Sequence, residues 1–264
     1  MNKYIGIYIV VLLGLGCQKK QNQRILPTLD ESRYNVAFLI MDGVYNTELT
    51  APYDIFQHTQ YREGIKAMNV FTVANTLAPI TTFEGLRILP DFDYLTDELP
   101  TIDILVVPSA EHHLDTDLQD DLMINWVRET GLGAQYVTSH CDGAFVLAQA
   151  GLLDDVVSTT FPSDVDTYRK MFPHLEVVED VLFVHDDQAI TSAGGAKSFE
   201  AALYLCELLY GPDIAKSIAK GLVIDWDIKD VTFYNPNAPS SIDPADELTS
   251  EAKSSSFKKA ILTM

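Results

Sequence analysis

Basic residues are scarce: 18 Lys and Arg stand against 38 Asp and Glu in 264 residues, a formal net charge of −20. A surface this acidic repels a phosphate backbone, which argues against nucleic acid as a partner. Cysteine is scarcer still. Three residues with no Cys-x-x-Cys pair exclude a disulfide scaffold and argue against a cysteine-rich zinc module. No apolar run reaches the roughly 20 residues that a membrane-spanning helix needs. There is no internal repeat and no low-complexity run. What is present is 47% hydrophobic and 21% charged, a composition that buries a core and is not that of a disordered or fibrous chain.

The ends differ from the body. Lys3, the twelve-residue apolar or glycine run Ile5 to Gly16 and the polar stretch from Gln18 to Gln23 read as an export signal rather than a buried strand. Leu13-Gly14-Leu15-Gly16-Cys17 resembles a bacterial lipoprotein signal, with Gly14 departing from the usual large aliphatic residue. That resemblance implies a signal peptide over residues 1–16, lipid on Cys17 and a tether over 17–32. The domain would then sit in the cell envelope, held to a bacterial membrane on the periplasmic or outer-membrane side. Beyond a turn-rich stretch at Asn235 to Ser241, residues 236–264 show no sustained periodicity and are expected to form a loosely ordered tail. One domain over 33–235 remains. Its span Arg33 to Tyr234 holds 32 of the acids and 11 Lys or Arg.

Short apolar runs alternate with helical patterns along that domain. Tyr34 to Met41, Val70 to Ala74, Ile102 to Val107 and Tyr136 to Ser139 read as buried parallel strands. Ala51 to Thr59, Asp117 to Glu129, Gly143 to Ala150, Ser163 to Phe172 and Phe199 to Tyr210 read as helices. The alternation predicts an α/β layer fold with a mainly parallel sheet, and its site belongs at the carboxyl ends of the strands.

One such position carries a nucleophile. The strand ending at Ser139 runs through His140-Cys141-Asp142-Gly143 directly into a helix. A thiol on a tight strand–helix turn is the nucleophile-elbow arrangement, with the helix N-terminus favouring a thiolate. Cys206 instead falls on the stripe Phe199, Ala202, Leu203, Cys206, Leu209 and Tyr210, where a cysteine is packing.

The segment Thr138 to Leu153 resembles the nucleophile segment of the ThiJ/PfpI family, within the class I glutamine amidotransferase-like superfamily. Its branch is the one shared by isonitrile hydratases and the sensor domains of AraC-type regulators. Val36 to Phe56 is similar to the family's opening strand and helix, and Ile190 to Leu203 to its closing glycine turn and helix. The resemblance implies a flavodoxin-like three-layer α/β/α sandwich, a homodimer, and Cys141 as nucleophile. It also puts the Glu48 carboxyl against the Cys141 sulfur, where a protonated acid beside a thiolate donates a hydrogen bond and passes a proton. No cofactor or metal is implied. The backbone N–H groups of Ala110 and Asp142 are the candidates to hold developing negative charge.

The chain departs from the family pattern at three places. Asp142 stands where hydratase-branch relatives carry Thr and peptidases carry His, and its charge opposes a thiolate. Pro108-Ser109-Ala110 replaces Pro-Gly-Gly, and Phe161 occupies the place of a histidine. His112 and His113 follow the strand ending near Pro108. They read as a solvated loop, as a base toward Cys141, or, with Glu111 and Asp115, as a metal site. His140 is expected to pack on the opposite face, and His185 to lie in a hairpin turn. Between Ile88 and Val127 there are ten acids and no Lys or Arg, which favours neutral or cationic ligands. The expected function is a membrane-tethered, cysteine-dependent enzyme acting on a small electrophile, by isonitrile hydration or by α-oxoaldehyde or amide chemistry. The rival is a ligand-binding or redox-sensing module. No helix-turn-helix pattern follows Leu222, which disfavours a DNA-binding regulator.

Overall fold

A computed structural model describes residues 26–237. The expected signal peptide, Cys17, most of the tether and residues 238–264 of the tail lie outside them. In chain order the elements are β1 (Tyr34–Leu39), α1 (Asn46–Gln57), β2 (Met68–Ala74), β3 (Ile80–Thr81), β4 (Arg87–Ile88), β5 (Phe92–Asp93), β6 (Ile104–Val107) and α2 (Asp121–Gly133). There follow β7 (Tyr136–His140), α3 (Gly143–Gln149), β8 (Val157–Ser158), α4 (Val165–Met171), β9 (Glu176–Val177), β10 (Phe183–Asp186), β11 (Ala189–Ser192), α5 (Ser198–Tyr210), α6 (Pro212–Gly221) and β12 (Phe233–Tyr234).

Eight strands form one sheet in the order β12-β10-β11-β7-β6-β1-β2-β5. Every neighbouring pair in it is parallel except β10 with β11. Strand alternation builds the layers. Val36 and Phe38 of β1 join Ile55 and Phe56 of α1, Leu203 of α5 and Ile218 of α6 in one apolar cluster. Ala37 and Leu39 join Val127 of α2, Phe145 of α3 and Tyr168 of α4 in the other. The molecule is a flavodoxin-like α/β/α sandwich with a buried, mainly parallel sheet.

Some element boundaries differ from the sequence reading. Helix α1 begins at Asn46 rather than near Ala51, with Pro52 inside it. Proline lacks an N–H, so placing it at a helix start was reasonable, but the Glu84 carboxylate accepts from the Asn46 N–H and starts the helix a turn earlier. Helix α2 begins after Asp120, whose side chain accepts from the N–H groups of Leu122 and Met123, leaving Asp117–Gln119 as a separate 3-10 turn. His185 is not a turn residue. The register pairs Asp186 with Ala189, so only Asp187 and Gln188 turn, and His185 lies in β10 with Nδ1 2.8 Å from the Tyr204 hydroxyl.

At the edges, Asn69 of β2 exchanges two hydrogen bonds with the backbone of Asp30, and Asn237 donates to the Asp186 carboxylate. Among the described residues, no helix is long and apolar enough to cross a membrane.

Candidate active site

The carboxyl ends of β1, β6, β7 and β11 bring four loops together. Tyr45 N–H donates to the Ser109 carbonyl, and Val44 pairs with Ala110, which ties the loop after β1 to the loop after β6. Cys141 N–H donates to the Ser192 carbonyl at 2.9 Å, which ties the elbow to the end of β11. Two glycines permit this crowding. A Cβ on Gly143 would lie 2.0 Å from the Val107 carbonyl oxygen, so α3 can start only with a bare backbone there. A Cβ on Gly194 would lie 2.4 Å from the Cys141 Cβ, and Gly194 has φ +78°.

Cys141 takes φ +53°. For a residue with a side chain, that left-handed conformation costs about 1–2 kcal/mol. It is held by the Ser192 carbonyl, by the Thr160 hydroxyl against the Cys141 carbonyl at 3.1 Å, and by the close approach of Gly194. The turn brings the thiol within hydrogen-bond reach of a carboxyl on α1.

Glu48 meets it there. It sits in the first turn of α1, where the helix dipole favours a carboxylate. Its Oε2 accepts the Ser109 N–H at 3.2 Å and its Oε1 accepts the Gly195 N–H at 3.1 Å. The carboxyl also hydrogen-bonds the Cys141 thiol. Burial raises the Glu48 pKa, while those three hydrogen bonds oppose the rise. The Asp142 carboxyl also hydrogen-bonds the thiol, and its Oδ1 accepts the Thr160 hydroxyl at 3.1 Å. Burial, then the nearby Asp164 charge, pushes its carboxyl up to about 7.

These surroundings decide the state of the thiol. Burial first, then the charges of Glu48 and Asp142, hold the Cys141 pKa well above the ordinary thiol range. Two groups act in the other direction. The Ser109 hydroxyl and the Asp142 N–H, as hydrogen-bond donors to the sulfur, lower it. The resting group is therefore a neutral thiol beside two acids, and not the thiolate expected beside a protonated Glu48.

The histidines take other places. His113 is fully buried, and its Nδ1 accepts the Ala110 N–H at 3.2 Å. That fixes the proton on Nε2, which faces the Asp142 carbonyl and, at 3.4 Å, the Met41 sulfur. Burial lowers its pKa to about 3, so the ring is a neutral strut between the loop after β6 and the elbow, and a poor base. The same bond occupies the Ala110 N–H expected to hold developing charge. His112 is exposed and lies 3.3 Å from the Asp115 carboxylate. His140 is buried against the Ser192 hydroxyl at 3.0 Å. Among the described residues, no group of three His, Cys, Asp or Glu side chains converges as a metal site.

This constellation has relatives. The DJ-1/PfpI family model matches residues 34–208. The chain belongs to the DJ-1/PfpI family. It is 29% identical to an isonitrile hydratase of Pseudomonas putida over 185 residues, 69% of this chain and 75% of that protein. It is 31% identical to the HTH-type transcriptional regulator CdhR of Pseudomonas aeruginosa over 102 residues, which spans 39% of this chain and only 30% of the regulator. The crystal structure of a ThiJ/PfpI family protein from Pseudomonas syringae superposes with a TM-score of 0.65 at 22% identity, covering 78% of this chain and 84% of that one. That last likeness concerns the fold.

Sequence reasoning missed Thr160, whose hydroxyl touches both the elbow backbone and the Asp142 carboxyl. It also missed Tyr45, whose hydroxyl pKa is raised by burial and then by the charges of Cys141, Glu48 and Asp142. Thr160 had one signal, its place directly before Phe161. Tyr45 had none, because only the early start of α1 brings it to the site.

Proposed function

We propose that this protein is a cysteine-dependent hydratase that adds water to a small, uncharged electrophile, with an isonitrile as the leading substrate class. The observation that carries the reading is the Glu48–Cys141 contact, with both carboxylate oxygens held by backbone N–H groups beside a neutral thiol. The likeness to the hydratase supports it. An isonitrile carbon must gain a proton as sulfur adds to it, and a thiol next to a carboxylate suits that need better than a bare thiolate in an acidic pocket. Glu48 takes the thiol proton as the C–S bond forms and passes it to the former isonitrile carbon, giving a thioimidate. Water then adds across the C=N bond, its oxygen to carbon and one proton to nitrogen; as the C–S bond breaks, the adduct's hydroxyl proton moves to sulfur and a formamide leaves. The Asp142 N–H is placed to steady developing charge.

The experiment is a panel of neutral isonitriles, α-oxoaldehydes and amides, with products followed by mass spectrometry. Formamide release by the wild type and none by Cys141→Ser supports the reading. Absence of turnover across the panel sinks it.

The second reading is a binding module, and one observation favours it: the Ala110 N–H is spent on His113, which leaves one donor fewer for an oxyanion. That reading expects ligand affinity to survive Cys141→Ser and no turnover. A lipid anchor at Cys17 and a homodimer belong to the same proposal. Fatty-acid labelling that disappears in Cys17→Ala tests the first, and sedimentation of the reduced protein tests the second.

A further inference from the structure

Charge is spread unevenly over the domain. Residues 26–237 hold 34 Asp and Glu and 11 Lys and Arg. The segments 26–33, 58–69 and 212–230 account for six of those cations and only seven of the acids, while the rest holds 27 acids against five cations. The three segments meet in space. The Asp30 N–H donates to the Asn69 side chain, and Arg62 donates to the Ser217 carbonyl at 2.7 Å. Together they make one nearly neutral face on an otherwise acidic body.

That face lies at the far end of the domain from Cys141. The segments before β1 and β2 sit at the amino ends of the parallel strands, whereas the site gathers at their carboxyl ends. Helix α1 spans the difference. It starts with Glu48 beside the thiol and runs into the turn His58–Tyr61, roughly 15 Å further on at 1.5 Å per residue.

Two apolar side chains stand out of this face. Tyr61 is 67% exposed and Val223 is 95% exposed. The fold brings them to one corner: a Cβ on Gly221, two residues before Val223, would lie 3.0 Å from Nη2 of Arg62, the neighbour of Tyr61. Val223 follows the last turn of α6 at φ +59°, its N–H on the Lys220 carbonyl and the Ile224 N–H on the Ala219 carbonyl. Glycine is the usual residue there, and a β-branched side chain is strained in the left-handed region. In water the valine therefore carries two costs, a strained backbone and an uncovered side chain, with almost no packing to offset them.

We propose that the domain lays this face on an anionic phospholipid bilayer, with Val223 and Tyr61 in the headgroup–acyl boundary and the exposed Lys220 and Lys229 against lipid phosphates. Lipid covers the valine, a tyrosine suits the interface, and lysines near an anionic surface strengthen the contact. Every other side approaches with net negative charge and is repelled. The proposal rests on the lipid anchor at Cys17 for its setting. The described chain joins the domain at this same face, through residues 26–33. A tether leading there would turn the active site toward the aqueous side, open to a diffusing substrate.

The test uses the full chain on vesicles of phosphatidylethanolamine and phosphatidylglycerol that carry a lipid-borne quencher. In a Cys141→Ser background, a fluorophore is attached at Val223→Cys, at Tyr61→Cys or, as the control, at Leu86→Cys in the β3–β4 hairpin, whose Phe83 stacks on Tyr45. Quenching is expected at 223 and 61 and not at 86. Stronger quenching at 86, or none at 223 and 61, overturns the proposal. Lys220→Glu with Lys229→Glu should weaken the quenching at 223 at least about fivefold, and unchanged quenching overturns it. Val223→Gly should unfold at higher urea yet weaken the quenching at Tyr61→Cys; a variant as strongly quenched as its parent counts against the proposal in the same way. Fluorescence that responds to protein concentration and not to vesicles makes this face a contact between two copies, which also overturns it. Fatty-acid labelling of Cys17 is read separately. A chain without lipid that is still quenched at 61 and 223 loses the anchor and keeps the face.

Discussion

Cys141 and Cys206 are both free and both buried, yet they differ in every respect that bears on chemistry. Cys206 lies mid-helix on α5, facing an apolar cluster, and its thiol pKa is raised by burial alone. Cys141 stands on a strained turn, with two carboxyls, a hydroxyl and a backbone N–H around its sulfur. Both pKa values go up, so the direction of the shift does not separate an inert thiol from a reactive one. The company of the sulfur does. A thiol with a carboxylate in contact can lose its proton at the moment of attack, while one among leucines has nowhere to send it.

Substitution at the two cysteines should split them most widely. Cys141→Ser is expected to cut turnover at least about 10³-fold, whereas Cys206→Ala should leave kcat unchanged and lower stability by about 1 kcal/mol. Steady-state kinetics and urea denaturation read both, and equal kinetic losses would erase the distinction. Next in size, Glu48→Gln should lower kcat about 10²–10⁴-fold by removing the acceptor for the thiol proton. Its Cys206 counterpart, a substitution at Leu203, should change stability only. A smaller effect is expected at Gly194→Ala. A Cβ 2.4 Å from that of Cys141, at φ +78°, should cost about 1–3 kcal/mol and slow alkylation of Cys141, but not of Cys206 in the unfolded chain. The smallest contrast concerns charge. Neutral iodoacetamide should outpace iodoacetate at Cys141 by more than at a free thiol in solution, because Glu48 and Asp142 stand nearby. Peptide mass analysis after mild peroxide should also find Cys141 oxidised ahead of Cys206.

Much of this was legible in the sequence, because it rests on local signals. Alternating apolar runs announced the sheet, and the tight Ser-His-Cys-Asp-Gly sequence announced the elbow. The packing role of His140 followed from strand alternation. What could not be read depends on contacts between distant segments. His113 looks like part of an acidic loop, and only the fold shows it wholly buried and holding the Ala110 N–H. Asp142 reads as an objection to a thiolate, since sequence gives its charge type but not its burial or the Thr160 hydroxyl 18 residues away. The start of α1 was misplaced because a proline is a stronger local mark than a Glu84 carboxylate arriving from 38 residues along the chain.

The left-handed backbone at Cys141 has a consequence for how the protein could drift. Glycine would adopt φ +53° without steric cost, so Cys141→Gly would relieve the turn even as it silenced the chemistry. A chain shaped for durability alone would carry glycine at that corner. The cysteine thus marks a position where the needs of folding and of reaction pull toward different amino acids. The same corner would let a descendant gain robustness in a single step while becoming a pure ligand carrier, its pocket intact and its sulfur gone.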